Sequence, residues 1–440
     1  MTEKKATNKK NYNHKAQKKG RPVNKVNIIL VFLIIISLVI LGSLYFEFNS
    51  NDPEPEPEPP IPQNQPPFPL PTQRIINTHD HIDFMDMLEK WLSSQRQCNV
   101  SATIMVGSPN STFWSQPKGP FTHYLENNEL LLDMAQMTNG EIIAFPTINP
   151  NDENNLERLK DYLARGARGL NLWTGHHGVL EGSWGALSLY DWLGPLNRTD
   201  MYPIYEYCQK NRIPVIWSNN LGIWEIREYL WSILERFPDM IIKIPHFGIC
   251  FQDYNLPFIE QFLDNYTGVY TCFSWGHPEF VMEKFENIST VRNEAISEFF
   301  EKYQDRIMFG TDIVPTINKR KTVEWMRKHT QVYKDVLENE NYHVEILNFT
   351  PDGIDFIADY RGLNLSKDIL EKVYYKNAIK FLSGLAWNEE LNETIITRGD
   401  GEALKDAWEN SDIHIEEKRI RKAYCVGNHW WEGGTTTVLI

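Results

Sequence analysis

From residue 74 to residue 338 the chain alternates short apolar runs with amphipathic stretches of helical period, eight of each. The runs with strand character are 74–77, 102–106, 142–148, 168–173, 213–217, 241–245, 269–273 and 306–310. The helical stretches between and after them are 83–96, 126–137, 156–165, 202–211, 223–237, 256–265, 291–303 and 320–338. Parallel strands need a crossover long enough to hold a helix, and each interval here is of that length. The rhythm predicts an α/β chain, a (β/α)8 TIM barrel with its helices outside. A doubly wound open sheet is the rival that the pattern alone leaves standing.

At 440 residues, 42% of them hydrophobic and 12% aromatic, the chain can fill one large core or two ordinary ones. Its formal charge of −14 is uneven: residues 1–26 hold nine Lys/Arg and one acid, leaving 35 basic against 57 acidic residues in the remainder. A globular part that acidic lacks the basic surface that neutralises phosphates, so no nucleic-acid partner is expected. The five cysteines (Cys98, Cys208, Cys250, Cys272, Cys425) show no CxxC spacing. Four of them fall in or beside strand or helix runs and read as small hydrophobes, and neither a disulfide framework nor a zinc finger is expected.

Residues 28–46 form an apolar run of 19 residues without a charge, close to the span of a bilayer-crossing helix. No small-residue cleavage site follows, so the segment reads as an uncleaved anchor, with the basic flank inside. The proline–glutamate alternation at 53–60 then predicts an extended stalk. The expected partition is a basic cytoplasmic tail (1–26), a transmembrane signal anchor (27–47), a Pro/Glu-rich linker (48–73), the barrel (74–385) and a C-terminal extension (386–440). That makes a single-pass membrane protein with its barrel outside, and eight N-x-S/T sequons suit that side.

In such a barrel the chemistry stands at the C-terminal ends of the strands. The first strand runs into His79 and His81, whose i, i+2 spacing puts both imidazoles on one face with Asp80 turned away. A pair like that can chelate a divalent metal or polarise an oxyanion. The fourth strand leads through Trp173 to His176 and His177, the fifth to Ser218 and Asn219, the sixth to His246, the seventh through Trp275 to His277 and the eighth to Asp312. Singly each has a bland reading as a cap or a packed residue; at equivalent strand ends they converge on one site.

The segments Phe145–Pro150, Gly166–Leu170, Pro245–Gly248, Arg306–Asp312 and 362–378, together with the HxH, resemble the amidohydrolase superfamily in its amidohydrolase 2 branch, from about residue 74 to residue 384. The resemblance implies that His79, His81 and Asp312 bind a divalent metal, usually zinc. It also makes His246 and Asp312 the catalytic acid/base groups. Zinc of this kind activates water or polarises a carbonyl. The chain departs from the family pattern at the end of the fifth strand, where Ser218 stands in place of the usual metal-ligand histidine.

The reaction implied is hydrolysis of a small ester, lactone or amide. The nearest rival is decarboxylation of a small aromatic or unsaturated acid. A barrel that has lost turnover and binds a ligand at the membrane surface is the reading Ser218 favours. Trp173 and Trp275 are expected to wall a substrate pocket with His176, His177, Ser218, Asn219 and His277. Trp184, Trp192, Trp217 and Trp224 add aromatics around the mouth, and Arg168 or Arg292 is a candidate grip for a carboxylate. Residues 180–198 read as a lid, and the tail as a segment packed on the barrel base. The partners expected are a small-molecule substrate and the membrane through 28–46, with room for a homo-oligomer.

Overall fold

The structure is a computed structural model that describes residues 75–108, 123–138, 140–175, 196–249, 256–316 and 318–389. The expected tail, anchor and stalk, the lid core at 180–195 and the extension beyond 389 lie outside these residues. Among the described residues no helix is long and apolar enough to cross a membrane.

Eight parallel strands follow one another: β1 (Ile75–Asp80), β2 (Val100–Val106), β3 (Ile142–Phe145), β4 (Leu170–Gly175), β5 (Val215–Asn219), β6 (Ile242–Ile244), β7 (Val269–Phe273) and β8 (Ile307–Phe309). β1–β3 form one sheet and β4–β8 another, each in chain order. A parallel bridge between Thr147 and Asn171 joins β3's end to β4. At the other seam the Thr78 hydroxyl donates to the Phe309 carbonyl at 2.8 Å. An α/β fold of parallel strands in this order is consistent with a TIM barrel.

The strands are apolar on both faces because each face has a core to fill. Ile104, Val106, Phe145, Ile216, Cys272 and Met308 belong to the inner core, closed below by Ala378, Phe381 and Leu382 of the helix Asn377–Leu382. Their strand neighbours Met105, Ala144, Val215, Trp217, Phe273 and Phe309 belong to the outer core beneath the helices.

The helices are α1 (Leu88–Gln97), α2 (Tyr124–Met137), α3 (Asn155–Ala164), α4 (Tyr202–Lys210), α5 (Trp224–Arg236), α6 (Leu256–Asn265), α7 (Pro278–Thr290), α8 (Asn293–Lys302) and α9 (Val323–Glu338). Two features depart from the sequence reading. The seventh crossover holds two helices: Pro278 starts α7 at the N-terminal position that tolerates a missing N–H. After α9 an antiparallel hairpin follows, β9 (Asn341–Ile346) with β10 (Phe356–Arg361). β9 alternates exposed and buried residues strictly, the signature of a strand with one wet face. Cys98, Cys208 and Cys272 are buried, as expected of packing residues. Cys250 and Cys425 lie outside the described residues.

Candidate metal and catalytic centre

β1 reaches its end through a bulge. Asn77 pairs with Thr103 and Asp80 with Met105, so three steps on β1 match two on β2. One extra residue reverses the phase of the side chains beyond it. Ile76 faces the inner core before the bulge; after it His79 and His81 turn inward and Asp80 outward, level with Met105. Buried Asp80 then serves the seam. Its carboxylate accepts from the Thr311 hydroxyl at 2.6 Å, the Ile313 N–H at 2.7 Å and the Asn77 amide at 2.8 Å. Burial pushes its carboxyl well above the usual range.

The same seam positions Asp312. Its N–H donates to the His79 carbonyl at 2.6 Å, and the His81 N–H donates to the Ile313 carbonyl at 3.1 Å. Asp312 sits at φ +56°, a left-handed conformation that short polar side chains tolerate. Its carboxylate lies 3.3 Å from His81 Nε2 and 3.6 Å from His79 Nε2 through Oδ1, and 3.8 Å from His246 Nε2 through Oδ2. His79, His246 and Asp312 each offer a ligand atom within 4.8 Å of the others.

His246 comes from a turn after β6 in which His246, Phe247 and Gly248 take φ +57°, +52° and +72°. Three successive left-handed residues are unfavourable by about 1–2 kcal/mol for each that is not glycine. Phe247 is held by the rings of Phe299 at 5.0 Å and Trp275 at 5.7 Å, which offsets that cost. His246 Nδ1 donates to the Ser274 carbonyl at 2.8 Å, so its Nε2 carries the lone pair that faces Asp312. Burial pushes this imidazole below its ordinary pKa, against the pull of Asp312. His81 Nδ1 lies 3.1 Å from the Ser108 hydroxyl, a contact that orients the ring with Nε2 toward the carboxylate.

The spacings of Asp312 to His79 and His81 suit a divalent cation, and the three groups whose ligand atoms all lie within reach of one another are His79, His246 and Asp312. Ligand atoms about 2.1 Å from a tetrahedral zinc stand about 3.4 Å apart. The spacings of 3.3 and 3.6 Å from Asp312 Oδ1 to the two histidines bracket that value. The outer partners Ser108 and Ser274 supply the orientation that metal-binding imidazoles need.

The other expected site residues divide. Trp173 turns inward, its ring 5.9 Å from that of His81 and its Nε1 donating to the Gly107 carbonyl at 3.3 Å. Ser218 shares the inward face of Ile216 on β5 and is fully buried, with Asn219 buried beside it. His277 stands at the rim after β7, its Nδ1 2.6 Å from Glu279. Trp275 does not wall the pocket: it packs in the outer aromatic layer, 4.7 Å from Phe273. Trp217 also faces outward, stacked on Tyr205 at 5.4 Å, and Trp224 is 61% exposed at the start of α5. Arg168 precedes β4, so it lies at the strand-start end of the fold, opposite the centre, while Arg292 stands between α7 and α8 in the seventh crossover. His176, His177, Trp184 and Trp192 lie outside the described residues.

Lys243 is a feature the sequence reading passed over, though a lysine inside the run 241–245 is itself a signal. It is fully buried, on the strand face opposite to Ile242 and Ile244, and its Nζ donates to the Thr78 carbonyl. Burial pushes its ammonium down to about 8, against Cys272, Asp312 and Asp80. A folded-state pKa below the unfolded one means the ammonium disfavours the fold at all pH below about 8, and the penalty fades between there and about 10.5. Lys243→Met is therefore expected to stabilise the fold by about 2 kcal/mol at pH 7, after allowing for the lost hydrogen bond. Urea unfolding at pH 7, 9 and 10.5 checks it: the gain should vanish across that window.

Residues 120–384 match the amidohydrolase family model, and the chain belongs to that family. The match begins past the HxH, which the resemblance also draws on. No curated protein matches the chain in sequence. Three solved structures align along most of their length. One is a probable 2-pyrone-4,6-dicarboxylic acid hydrolase from Acinetobacter baumannii with citric acid bound (14% identity, 70% of this chain and 98% of that one, TM-score 0.44). The second is dihydroorotase from Saccharomyces cerevisiae in complex with 5-fluoroorotic acid (13%, 70% and 84%, TM-score 0.44). The third is 5-carboxyvanillate decarboxylase from Sphingomonas paucimobilis (10%, 71% and 99%, TM-score 0.38).

Proposed function

We propose that the chain is an enzyme that hydrolyses a small ester, lactone or amide at a mononuclear divalent metal centre in the mouth of a (β/α)8 barrel. The observation that carries the reading is the convergence of three imidazoles from the ends of β1 and β6 on one carboxylate beyond β8. His79, His81 and Asp312 would hold the metal, zinc being the first to test. A bound divalent ion lowers the pKa of water or polarises a carbonyl. The chain's own part is to orient and to move protons. His246, unprotonated at Nε2, accepts a proton from the attacking water and returns it to the leaving group. Asp312 keeps that imidazole oriented and shares the positive charge it gains. Trp173 excludes water beside His81.

The same groups suit decarboxylation, where His246 would deliver the proton to the carbon that loses carbon dioxide. A product assay on zinc- or manganese-loaded protein separates the readings. Acid release from an ester, lactone or amide panel supports hydrolysis. Carbon dioxide from aromatic acids, with no hydrolysis, overturns it. Ligand binding without either product supports the non-catalytic barrel that Ser218 suggests.

Ser218→His makes a further expectation. The new imidazole would share the inward face of Ile216, toward the mouth. Zinc affinity is expected to rise about tenfold or more, since even outer partners of a metal site are worth that much. Competition with a chromogenic chelator measures it.

Residues 28–46 as a membrane anchor, the barrel outside, and the partition 1–26, 27–47, 48–73, 74–385 and 386–440 belong to the same proposal. Their support is the uncharged 19-residue run between a basic flank and a proline-rich stalk. Retention in the membrane after alkaline carbonate extraction is the expected result.

A further inference from the structure

Among the described residues, two cations that make no ion pair stand where the segment after β8 meets those after β7 and β1. Arg320 and Lys321 stand there, just ahead of α9. The Arg320 Nε and Nη1 are buried and, among the described residues, make no hydrogen bond. Its Cζ lies 5.6 Å from the centre of the Trp325 ring, and Lys321 Nζ lies 5.9 Å from the same ring. Lys321 is 8% exposed, and its ammonium donates to the neutral carbonyl of Val314, two residues beyond Asp312.

The acids around the pair act on it from a distance and, among the described residues, form no ion pair with it. Glu279 is already 2.6 Å from His277. Asp83, after β1, interacts with Lys321 without forming an ion pair, and Asp352 acts on Arg320 from the exposed turn between β9 and β10. Burial pushes Lys321 down to about 7 and Asp83 up to about 8, so this seam is a place of low polarity. A half-buried guanidinium whose Nε and Nη1 are buried with unfilled donors is costly unless a ligand fills them.

The seam also borders the centre. Gly276, next to His277, packs on the Asp312 carboxylate so closely that a Cβ there would fall 2.7 Å from Oδ2. Lys321 interacts electrostatically with Asp312 itself.

We infer that Arg320 and Lys321 form an anion subsite that takes a carboxylate of the substrate while its reacting carbonyl lies at the histidine–aspartate centre. The inference rests on the proposed function for that second half. The planar guanidinium suits a two-oxygen grip, with Lys321 as a point charge beside it. The Trp325 ring backs both cations.

The test is calorimetric titration of the full chain, metal-free and zinc-loaded, with benzoate, benzamide and inorganic phosphate. Benzoate should bind and benzamide should not. Arg320→Gln and Lys321→Gln should each weaken benzoate by about tenfold or more, and Lys321→Arg should restore it. Melting temperatures identify a variant that fails to fold, and Arg320→Lys then replaces Arg320→Gln with the same expectation. Benzamide binding as tightly as benzoate, or benzoate binding unchanged in both Gln variants, overturns the subsite. Phosphate binding more tightly than benzoate, with the same dependence on Arg320, overturns the choice of a carboxylate. Zinc content of the same samples separates this from the parent reading. Arg320-dependent benzoate binding in a protein that takes no zinc leaves the subsite and removes the metal centre. Zinc uptake without benzoate binding does the reverse.

Discussion

Asp312→Asn is expected to lower kcat by about a thousand-fold or more, about 4 kcal/mol at the barrier, with the fold intact. Asp312 is the group on which the site converges: three imidazole nitrogens lie 3.3 to 3.8 Å from its two oxygens. Asparagine keeps the shape, tolerates φ +56° as aspartate does, and leaves the N–H donating to the His79 carbonyl. What it removes is the negative charge that three imidazoles need if they are to hold a cation or share a proton. Zinc stoichiometry should fall with kcat, while the melting temperature stays within about 3 °C. A variant that loses zinc yet turns over within a factor of ten of the parent would make the metal incidental and leave His246 to work alone. Alanine is the poorer choice, since it gives up both the shape and the tolerance of a left-handed backbone.

Much of this site was legible before any coordinates, because strand geometry converts spacing into direction. His79 and His81 share a face whatever happens upstream, and Asp312 and His246 each follow an apolar run at an equivalent end. What the sequence hides is phase. Nothing in Ile75–Asp80 announces the extra residue that turns both histidines inward, since a bulge is a property of the pair of strands and appears only in the register with β2. Aromatic residues misled for a related reason. Trp275 follows β7 as Trp173 ends β4, yet it joins the Phe247–Phe273 layer while Trp173 meets His81. The supporting partners Ser108, Ser274 and Tyr333 are ordinary residues whose value comes from long-range contact. The β9–β10 hairpin was missed because helix-to-sheet insertions leave the eightfold rhythm unchanged, although the alternation in 341–346 could have revealed it. Arg168 fails as a ligand grip on topology alone, a check that needs only the direction of the strands.

Gly276→Ala is expected to damage the centre without touching a ligand. Gly276 holds φ +49°, which costs alanine about 1–2 kcal/mol, and its Cβ would fall 1.9 Å from the Asp312 carbonyl oxygen and 2.7 Å from Cγ. Backbone cannot yield at that distance without movement, and the segment is tied down. The Gly276 N–H donates to the Thr311 carbonyl at 3.1 Å, and the Trp275 and Gly276 N–H groups both donate to the buried Tyr333 hydroxyl. The side chain that gives way is therefore Asp312, displaced from its three imidazoles. A shift of about 1 Å in a reacting group is enough to lose about a hundred-fold in rate. Stability should fall by about 2–4 kcal/mol, strain and clash together. Gly353→Ala is the matched control. It sits at φ +84° in the turn between β9 and β10, where a Cβ meets only Asn348 Oδ1, at 3.6 Å. That variant carries the backbone strain alone, so it should lose about 1 kcal/mol and keep its zinc and its kcat. Equal losses of activity in the two would trace the effect to general destabilisation. A loss confined to Gly276→Ala would trace it to the carboxylate on which the centre is built.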